Sequence, residues 1–356
     1  MKKILTVLIL VAVSAALFAG GGSAQQPGAQ TAAPAAPAHR ELTLYTPLSD
    51  TEIPTYFNAF ERETGIKINY VRLAAGEMLA RVAAEKANPQ AALMFGGASD
   101  TYIAAHKDGL LEPYQSSERA NVPEQYRDAQ GVWNPIYVGA ICFAINKDWF
   151  AEKKIPYPKT WEDLTKPEFK GQVSMAHPSS SGTSYTVLAT ILQLFPDRDK
   201  AWDYLKRLNA NVRQYTRSGT APPREVALGE AAIAITFSHD GLRPADEGYP
   251  IEIIFPSEGT GFEVGAMGLI KGGFAREQEN ARRFIDWFMS VKGQELYIES
   301  KSNRLPINIK AKVTPGLTSL DKIAIVKYDA VWAGNNKNDF IKEFNEKVDN
   351  AANLKQ

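Results

Sequence analysis

The sequence predicts an α/β fold built as two lobes, and three observations lead to that prediction. Segments with strand and helix patterns alternate along the chain with short loops between them, which is typical of a parallel sheet covered by helices. The composition is globular, since 44% of the 356 residues are hydrophobic and 22% are charged. A chain of this length exceeds what one core normally holds, so we expect two lobes of about 150 residues each.

The first part of the folded chain shows the alternation most clearly. Glycine ends two of its predicted helices, at Gly65 and Gly109. The predicted strands are 41–45, 66–71 and 91–95, and the predicted helices are 53–64, 78–86 and 100–108. Because each strand is followed by a helix, this part predicts a parallel sheet with helices on its faces.

The second part continues the pattern. Strands are predicted over 172–176 and 230–237, and a helix over 186–194. Between residues 277 and 298 the apolar residues recur at helical spacing, which indicates a helix face packed on the core; these residues are Phe284, Ile285, Trp287, Phe288 and Val291. Cys142 lies in the apolar run 139–145 and is expected to be a small buried side chain.

The N-terminus has the pattern of an export signal. Lys2 and Lys3 precede an apolar stretch over 4–19, so we expect a signal peptide over 1–24, cleaved after Ala19 or Ala24. No cysteine follows for lipid attachment, which favours a free periplasmic protein. Residues 25–39 are rich in Pro, Ala and Gln and are expected to form a flexible linker.

Charge and cysteine content exclude several function classes. The 40 basic and 40 acidic residues give a formal charge of +0, which argues against a nucleic-acid partner. A single cysteine excludes internal disulfides and cysteine-based metal centres. The motifs of serine hydrolases, zinc proteases and phosphate-loop enzymes do not occur. We therefore expect no catalytic residues, no cofactor and no structural metal.

Loops rich in small polar residues follow several predicted strands, where open α/β sheets bind ligands. They are 46–49, 96–100, 179–184 and 238–240. Loop 179–184 carries five hydroxyl residues around Gly182 at the start of a helix, and free N–H and O–H groups there favour a phosphate or carboxylate. An ordinary helix cap, which needs one hydroxyl, is the alternative.

Three further polar residues are candidates for a ligand site. His239 and Asp240 directly follow an apolar strand, and Glu263 lies between glycines before another apolar run. Surface turns would explain both positions equally well. If the three side chains meet, they could bind a divalent metal, exchange protons, or accept hydrogen bonds from sugar hydroxyls.

Five segments together resemble the ferric-iron-type family of ABC-transporter solute-binding proteins. They are Leu42-Thr-Leu-Tyr-Thr, Leu93-Met-Phe-Gly-Gly-Ala-Ser-Asp-Thr-Tyr102, Ser180-Ser-Gly-Thr-Ser-Tyr-Thr186, Leu228-Gly-Glu-Ala-Ala-Ile-Ala-Ile235 and Glu258-Gly-Thr-Gly-Phe-Glu-Val-Gly-Ala-Met267. The resemblance covers essentially everything after residue 40. It implies a type II periplasmic binding fold with a ligand cleft between the lobes, and a monomer that delivers its solute to an ABC transporter permease.

The resemblance also implies where the lobes divide. The chain would cross between them near Tyr137 and Val138, near Val264, and after Pro306. Lobe 1 would then comprise residues 40–137 with 264–309, and lobe 2 would comprise 138–263 with 310–356.

One departure from the iron-binding members bears on the solute. Those members carry adjacent tyrosines where this chain has His239-Asp240, and neutral imidazole is a poor ligand for Fe³⁺. The pattern here is similar to the branch that binds hexose phosphates. By that resemblance the phosphate would be held by Ser180, Ser181, Thr183 and Ser184 with Ser49 and the Ala98 and Ser99 amides, and the sugar hydroxyls by His239, Asp240 and Glu263.

Elementary electrostatics agrees with this division. Backbone N–H groups at helix N-termini together with hydroxyls can replace the water shell of a phosphate dianion without a lysine. The carboxylates would repel the phosphate and therefore suit the hydroxyl end. A phosphonate, another small phosphorylated solute or ferric iron are the alternative cargoes, and a secreted phosphatase using His239 and Asp240 is the alternative from another function class.

Overall fold

A computed structural model describes residues 39–349 of the chain. The predicted signal peptide and all but the last residue of the predicted linker lie outside the described residues. Among the residues described, no helix is long and apolar enough to cross a membrane. The predicted α/β class is confirmed, because eleven strands form a mixed sheet that helices cover.

The strands are β1 (Glu41–Thr46), β2 (Lys67–Arg72), β3 (Leu93–Ala98), β4 (Leu111–Glu112), β5 (Asn134–Asn146), β6 (Val173–Ala176), β7 (Val212–Thr216), β8 (Ile233–Phe237), β9 (Ile251–Ile254), β10 (Phe262–Ile270) and β11 (Leu305–Pro306). The α-helices are α1 (Ile53–Thr64), α2 (Ala75–Ala84), α3 (Ser99–Lys107), α4 (Lys147–Lys153), α5 (Gly182–Leu194), α6 (Arg198–Asn209), α7 (Pro222–Ala227), α8 (Ser238–Asp246), α9 (Gln278–Met289), α10 (Val291–Glu299), α11 (Ala330–Asn335) and α12 (Lys337–Phe344).

Two groups of parallel strands flank the middle of the sheet. β1 pairs in parallel with β2 and with β3. β6 pairs in parallel with β7 and with β8. The carboxyl ends within each group therefore lie on one edge, and each of these strands leads into a helix, either directly or over a short loop.

Two long antiparallel strands, β5 and β10, connect the groups. β10 pairs with β3 on one side and with residues 134–140 of β5 on the other. Residues 141–146 of β5 then pair with β8 and β9. The change of partner falls between Ala140 and Ile141, so one continuous strand passes from the first group to the second.

The apolar side chains separate into two main cores. The first holds β1–β3, β10 and the helices α1 and α9, with a cluster of edge-to-face aromatic rings from Tyr56, Phe95, Phe284 and Phe288. The second surrounds Trp161 and Trp202 and includes residues of α5, α6 and α12. The predicted lobe boundaries stay a prediction.

Several predicted elements differ from those observed. Helix α2 begins at Ala75 and α5 at Gly182, each three or four residues before the predicted start, because small residues carry no apolar periodicity. The long stripe predicted over 277–298 is two helices separated at Ser290, whose side chain accepts from the N–H of Gly293 and caps α10. Cys142 is buried in β5, and burial raises the pKa of its thiol, as expected for an unreactive side chain.

Candidate functional site

A cavity lies where the carboxyl ends of the two parallel strand groups face each other. Its walls come from the segments that follow β1, β2, β6, β7 and β8 and from the end of β3. Residues of β5 and β10 and the segment before β11 complete them. The lining residues are Pro47, Leu48, Ala74, Ala75, Gly97, Ala98, Tyr137, Ser181, Gly182, Thr183, Ser218, Gly219, Thr220, Phe237, His239, Asp240, Glu263 and Arg304.

One wall, which we call the anion cradle, consists of residues 74–75, 97–98, 181–183 and 218–220. Three helices, α2, α3 and α5, have their first residues at or beside this wall, so their N-termini converge on it. Backbone N–H groups at a helix N-terminus lack partners within the helix and favour an anion. The cradle also contributes four hydroxyl residues, Ser181, Thr183, Ser218 and Thr220.

Of the residues predicted to hold phosphate, three lie at the cavity wall. Ala98 precedes α3, and Ser181 and Thr183 flank the start of α5. Ser181 Oγ also accepts a hydrogen bond of 3.4 Å from the N–H of Ser184. Ser181 is therefore the helix cap that we gave as the simpler alternative, and its hydroxyl proton remains available to a ligand.

The other four predicted phosphate residues do not line the cavity. Ser99 is the buried first residue of α3, and Ser184 is fully buried behind the start of α5. Ser180 Oγ donates to the carbonyl of Arg217 at 2.8 Å. Ser49 Oγ accepts from Arg243 Nη1 at 2.7 Å and lines a separate pocket near the cleft mouth. In this conformation the side chains of Ser49, Ser180 and Ser184 therefore do not line the cavity. The Ser99 amide, which is the group predicted to bind, lies at the first residue of α3 beside Ala98.

His239, Asp240 and Glu263 do meet, and they form the opposite wall. His239 and Asp240 lie in the first turn of α8 rather than in a surface turn, and Glu263 lies within β10. All three are buried. His239 Nε2 is 3.6 Å from Asp240 Oδ2 and 3.5 Å from Glu263 Oε1, so the three side chains are neighbours without direct hydrogen bonds.

Burial governs the protonation of this wall. It raises the pKa of Glu263 well above its ordinary value and raises that of Asp240 to about 6. Burial, reinforced by the nearby Arg304 charge, holds the pKa of His239 well below its usual range. At neutral pH the wall therefore presents a neutral imidazole, and burial disfavours the charged forms of both carboxyl groups.

Arg304 lines the same cavity and was missed by the sequence analysis. Its guanidinium binds buried Glu52 through two hydrogen bonds, Nε to Oε2 at 3.1 Å and Nη2 to Oε1 at 2.9 Å. Nη1 donates to His239 Nε2 at 2.8 Å, and the guanidinium carbon lies 4.2 Å from the centre of the Tyr137 ring. No local motif surrounds Arg304, and Glu52 is 252 positions away, so the sequence carried no signal for this contact.

The loop at 218–220 was also missed, although the sequence did contain a signal. Ser218-Gly219-Thr220 repeats the tripeptide Ser181-Gly182-Thr183. Each tripeptide follows a strand of the same parallel group; the first begins helix α5, and the second comes just before helix α7. A search for a second Ser-Gly-Thr after a strand would have found it.

Few side chains are arranged for a cation. Among residues 39–349, one set of possible metal ligands is close enough together, with its ligand atoms all within 4.8 Å of one another. It consists of His39, Glu41 and Glu277, which do not line the cavity. Within the cavity, the lone pair of His239 Nε2 already accepts from Arg304. A metal ion there would face a buried guanidinium, which disfavours metal binding by electrostatic repulsion.

Known proteins with the same architecture are solute-binding proteins. The family described as bacterial extracellular solute-binding protein matches residues 98–332. An uncharacterized protein of Haemophilus influenzae is 38% identical over 331 residues, covering 90% of this chain and 91% of its own. A probable ABC transporter periplasmic-binding protein of Sinorhizobium fredii is 27% identical over 272 residues, covering 75% and 74%.

A solved structure is similar over nearly its whole length. The periplasmic binding protein AfuA of Actinobacillus pleuropneumoniae, with exogenous fructose-6-phosphate bound, has a TM-score of 0.84 at 33% identity and covers 87% of this chain and 98% of its own. This likeness confirms the predicted two-lobed fold. Weaker matches include an Fe(3+)-binding periplasmic protein of Serratia marcescens (22% identity; 86% and 90% covered) and a putative 2-aminoethylphosphonate-binding protein of Salmonella typhi (25%; 73% and 74%).

Proposed function

The chain belongs to the bacterial extracellular solute-binding protein family, and we propose that its solute is a sugar phosphate. It is a periplasmic solute-binding protein of an ABC importer and not an enzyme, as its family and its relatives are. An importer implies a small-molecule solute and a permease partner. The secreted phosphatase considered above is thereby excluded.

The single observation that carries the proposal is that one cavity has two chemically different walls. The anion cradle offers helix N-termini and hydroxyls and contains no carboxylate. The opposite wall carries the carboxyl groups of Asp240 and Glu263, whose oxygen atoms accept hydrogen bonds from hydroxyls and offer an anion no positive charge. A molecule with a phosphate at one end and hydroxyls at the other matches both walls.

In this proposal, Ser181 and Thr183 bind the phosphate together with the amide groups around Ala98. Asp240, Glu263 and His239 hold the sugar. Each hydrogen bond to a charged group contributes about 1.5–3 kcal/mol net. Four or five of them, after the cost of ordering the ligand and the two lobes, are enough for micromolar affinity, about −8 kcal/mol.

The lobes that close on this ligand are proposed to be residues 40–137 with 264–309 and residues 138–263 with 310–356. Support comes from β5, whose pairing partners change at Ala140–Ile141, and from the separate cores on the two sides of that point. The proposed export signal over 1–24 and linker over 25–39 complete the chain.

Ferric iron is disfavoured as cargo by the cavity itself. Hard Fe³⁺ prefers anionic oxygen ligands, whereas burial disfavours the charged forms of Asp240 and Glu263, and the Nε2 lone pair of the neutral His239 is occupied. A relative named for 2-aminoethylphosphonate keeps a small phosphonate as the second candidate. Such a solute would use the anion cradle and would leave the hydroxyl-binding wall without a partner.

Calorimetric titration tests the proposal. Glucose 6-phosphate and fructose 6-phosphate should bind at micromolar concentration, while glucose, inorganic phosphate and 2-aminoethylphosphonate should bind at least a hundredfold more weakly. Glu263→Gln should weaken the sugar phosphates by about 1–3 kcal/mol and leave inorganic phosphate unchanged. Tight binding of 2-aminoethylphosphonate or Fe³⁺ with no response to either sugar phosphate would refute it.

A further inference from the structure

The loop that carries Arg304 has an unusual backbone conformation. The loop joins α10 to β11, and Lys301 and Asn303 in it adopt left-handed backbone conformations with φ of 51° and 57°. Such a conformation is unfavourable for lysine, is better tolerated by asparagine, and persists where the surroundings enforce it. Here Asn303 Nδ2 donates to Asp246 Oδ2 at 2.5 Å, which fixes the loop against the end of α8.

The guanidinium of Arg304 is held so that it cannot turn. Glu52 binds two of its nitrogens, and Glu52 is itself fixed by Tyr56, whose hydroxyl donates to Oε2 at 3.0 Å, and by the N–H of Ser49, which donates to Oε1 at 3.0 Å. Tyr137 covers one face of the guanidinium. The remaining nitrogen, Nη1, therefore points at His239 in a fixed direction.

A guanidinium only donates hydrogen bonds, so the 2.8 Å contact determines the state of the imidazole. His239 Nε2 must accept, which places the ring proton on Nδ1 and keeps the ring neutral. A proton on Nε2 would instead be available to Asp240 Oδ2 and Glu263 Oε1, which lie within 3.6 Å of it. Without that proton, both carboxyl groups keep oxygen atoms free for a ligand.

From this arrangement we propose that Arg304 is a positioning residue that sets ligand selectivity, by fixing the His239 tautomer that leaves Asp240 and Glu263 free for the hydroxyl groups of the solute. The part concerning hydroxyl groups rests on the proposed function, whereas the tautomer does not depend on any ligand. The groups facing His239 and its partner Arg304 are Glu52, Tyr137, Asp240, Arg243 and Glu263.

Nuclear magnetic resonance of the imidazole nitrogens tests the tautomer directly. The chain has four histidines, and His239→Gln identifies the resonances of His239. In the ligand-free protein we expect a protonated Nδ1, an unprotonated Nε2, and no titration between pH 5 and pH 8. A protonated Nε2 in the wild-type protein would overturn the proposal, whatever the solute proves to be.

A double variant that removes both members of the buried ion pair, Arg304 and Glu52, tests the role of Arg304. Arg304→Gln alone leaves the Glu52 carboxylate unpaired in the interior and risks unfolding, so the double variant Arg304→Gln with Glu52→Gln is used as well. In the double variant His239 should titrate between pH 5 and pH 8 or protonate Nε2. Lys301→Gln, in the same loop but exposed, is the control and should behave as wild type.

Binding measurements then test selectivity. In the double variant the Kd for glucose 6-phosphate should rise at least tenfold, while the Kd for inorganic phosphate changes less than threefold, because the anion cradle is untouched. An unchanged ratio of the two Kd values in a folded double variant would contradict the role in selectivity. If wild-type protein binds no sugar phosphate, the proposed function fails, and the tautomer measurement still decides the role of Arg304 at His239.

Discussion

At the level of single residues, the anion cradle depends on a glycine that keeps its hydroxyls accessible. A Cβ atom at Gly219 would lie 2.9 Å from Ser181 Oγ and closer still to Thr183 Oγ1 and Cβ. Real Cβ atoms do not approach other atoms so closely, so both hydroxyls would have to move. Any substitution at Gly219 therefore changes the geometry that we assign to phosphate binding.

We predict that Gly219→Ala raises the Kd for glucose 6-phosphate at least tenfold, about 1.4 kcal/mol or more. Titration calorimetry measures the affinity, and urea unfolding shows whether the fold is retained. Gly229→Ala is the control, because a Cβ there meets no atom within 4 Å. Its φ of 76° should cause a loss of stability without a change in affinity. Equal affinities of the two variants would contradict the prediction.

Asp240 makes the stability of the protein depend on pH, because burial raises its pKa from 3.8 to about 6. A folded-state pKa above the unfolded one means that the folded protein binds the proton more tightly. Proton binding by Asp240 therefore stabilises the folded protein fully below about pH 4, and this stabilisation is lost as the pH rises through 6. Asparagine keeps an uncharged polar group of the same shape and avoids that loss.

The unfolding free energy of Asp240→Asn, measured in urea without ligand, should therefore exceed that of the wild type by about 1–3 kcal/mol at pH 7.5. The difference should shrink toward zero at pH 4.5. Asp203→Asn, an exposed position on α6, serves as the control and should show no such trend. A difference that stays constant from pH 4.5 to pH 7.5 would show that Asp240 does not carry this linkage.

The residues that sequence reasoning found share a local signal. His239 and Asp240 come directly after β8, and Ser181 and Thr183 lie at the start of the helix that follows β6. The carboxyl ends of parallel strands define where α/β sheets bind ligands. Arg304 has no such signal, because its role comes from Glu52 and His239, which only the folded chain brings together. Long-range ion pairs of this kind cannot be inferred from one sequence.

At the scale of secondary structure, the sequence predicted which elements exist better than where they begin. Helix α1 has the predicted bounds, since a glycine ends it and an apolar stripe fills it. The starts of α2 and α5 were placed too late, because alanine, glycine and serine give no hydrophobic period. Those same small residues form the anion cradle, so the prediction failed at the residues that we propose contact the ligand.

Helix N-termini would allow the proposed phosphate site to function without a lysine. Helices α2, α3 and α5 each direct an N-terminus at the cradle, and each N-terminus carries roughly half a positive charge. Three such ends together compensate most of the charge of a phosphate dianion. The cation that does line the cavity, Arg304, is already paired with Glu52 and serves the opposite wall.

At the scale of the whole molecule, arginines join the two sides of the cleft around its mouth. Arg72 Nη2 donates to Thr220 Oγ1 at 3.3 Å, and Arg217 forms an ion pair with Glu77. Arg243 Nη1 donates to Ser49 Oγ at 2.7 Å and also contacts Thr51. Each contact links a residue of proposed lobe 1 to one of proposed lobe 2, so opening the cleft must break all three.

The exposed ion pair of Arg217 contributes about 0.2–1 kcal/mol, and each partly buried hydrogen bond from Arg72 or Arg243 contributes about 0.5–1.5 kcal/mol. Together the three contacts stabilise the closed form by about 1–4 kcal/mol. We predict that the triple variant Arg72→Gln, Arg217→Gln and Arg243→Gln releases bound glucose 6-phosphate about tenfold faster, as followed by stopped-flow tryptophan fluorescence. Salt screens exposed charges, so added NaCl should accelerate release from the wild type more than from this variant.

Three other exposed arginines provide a matched control for this last prediction. Arg198, Arg207 and Arg213 pair with Glu343, Glu162 and Glu230, and all six residues lie within proposed lobe 2. Replacing these arginines by glutamine removes the same charge but no contact across the cleft. If both triple variants release the ligand at the same rate and with the same salt dependence, the arginines at the mouth do not hold the cleft closed. The lifetime of the complex must then come from contacts between the ligand and the cavity walls.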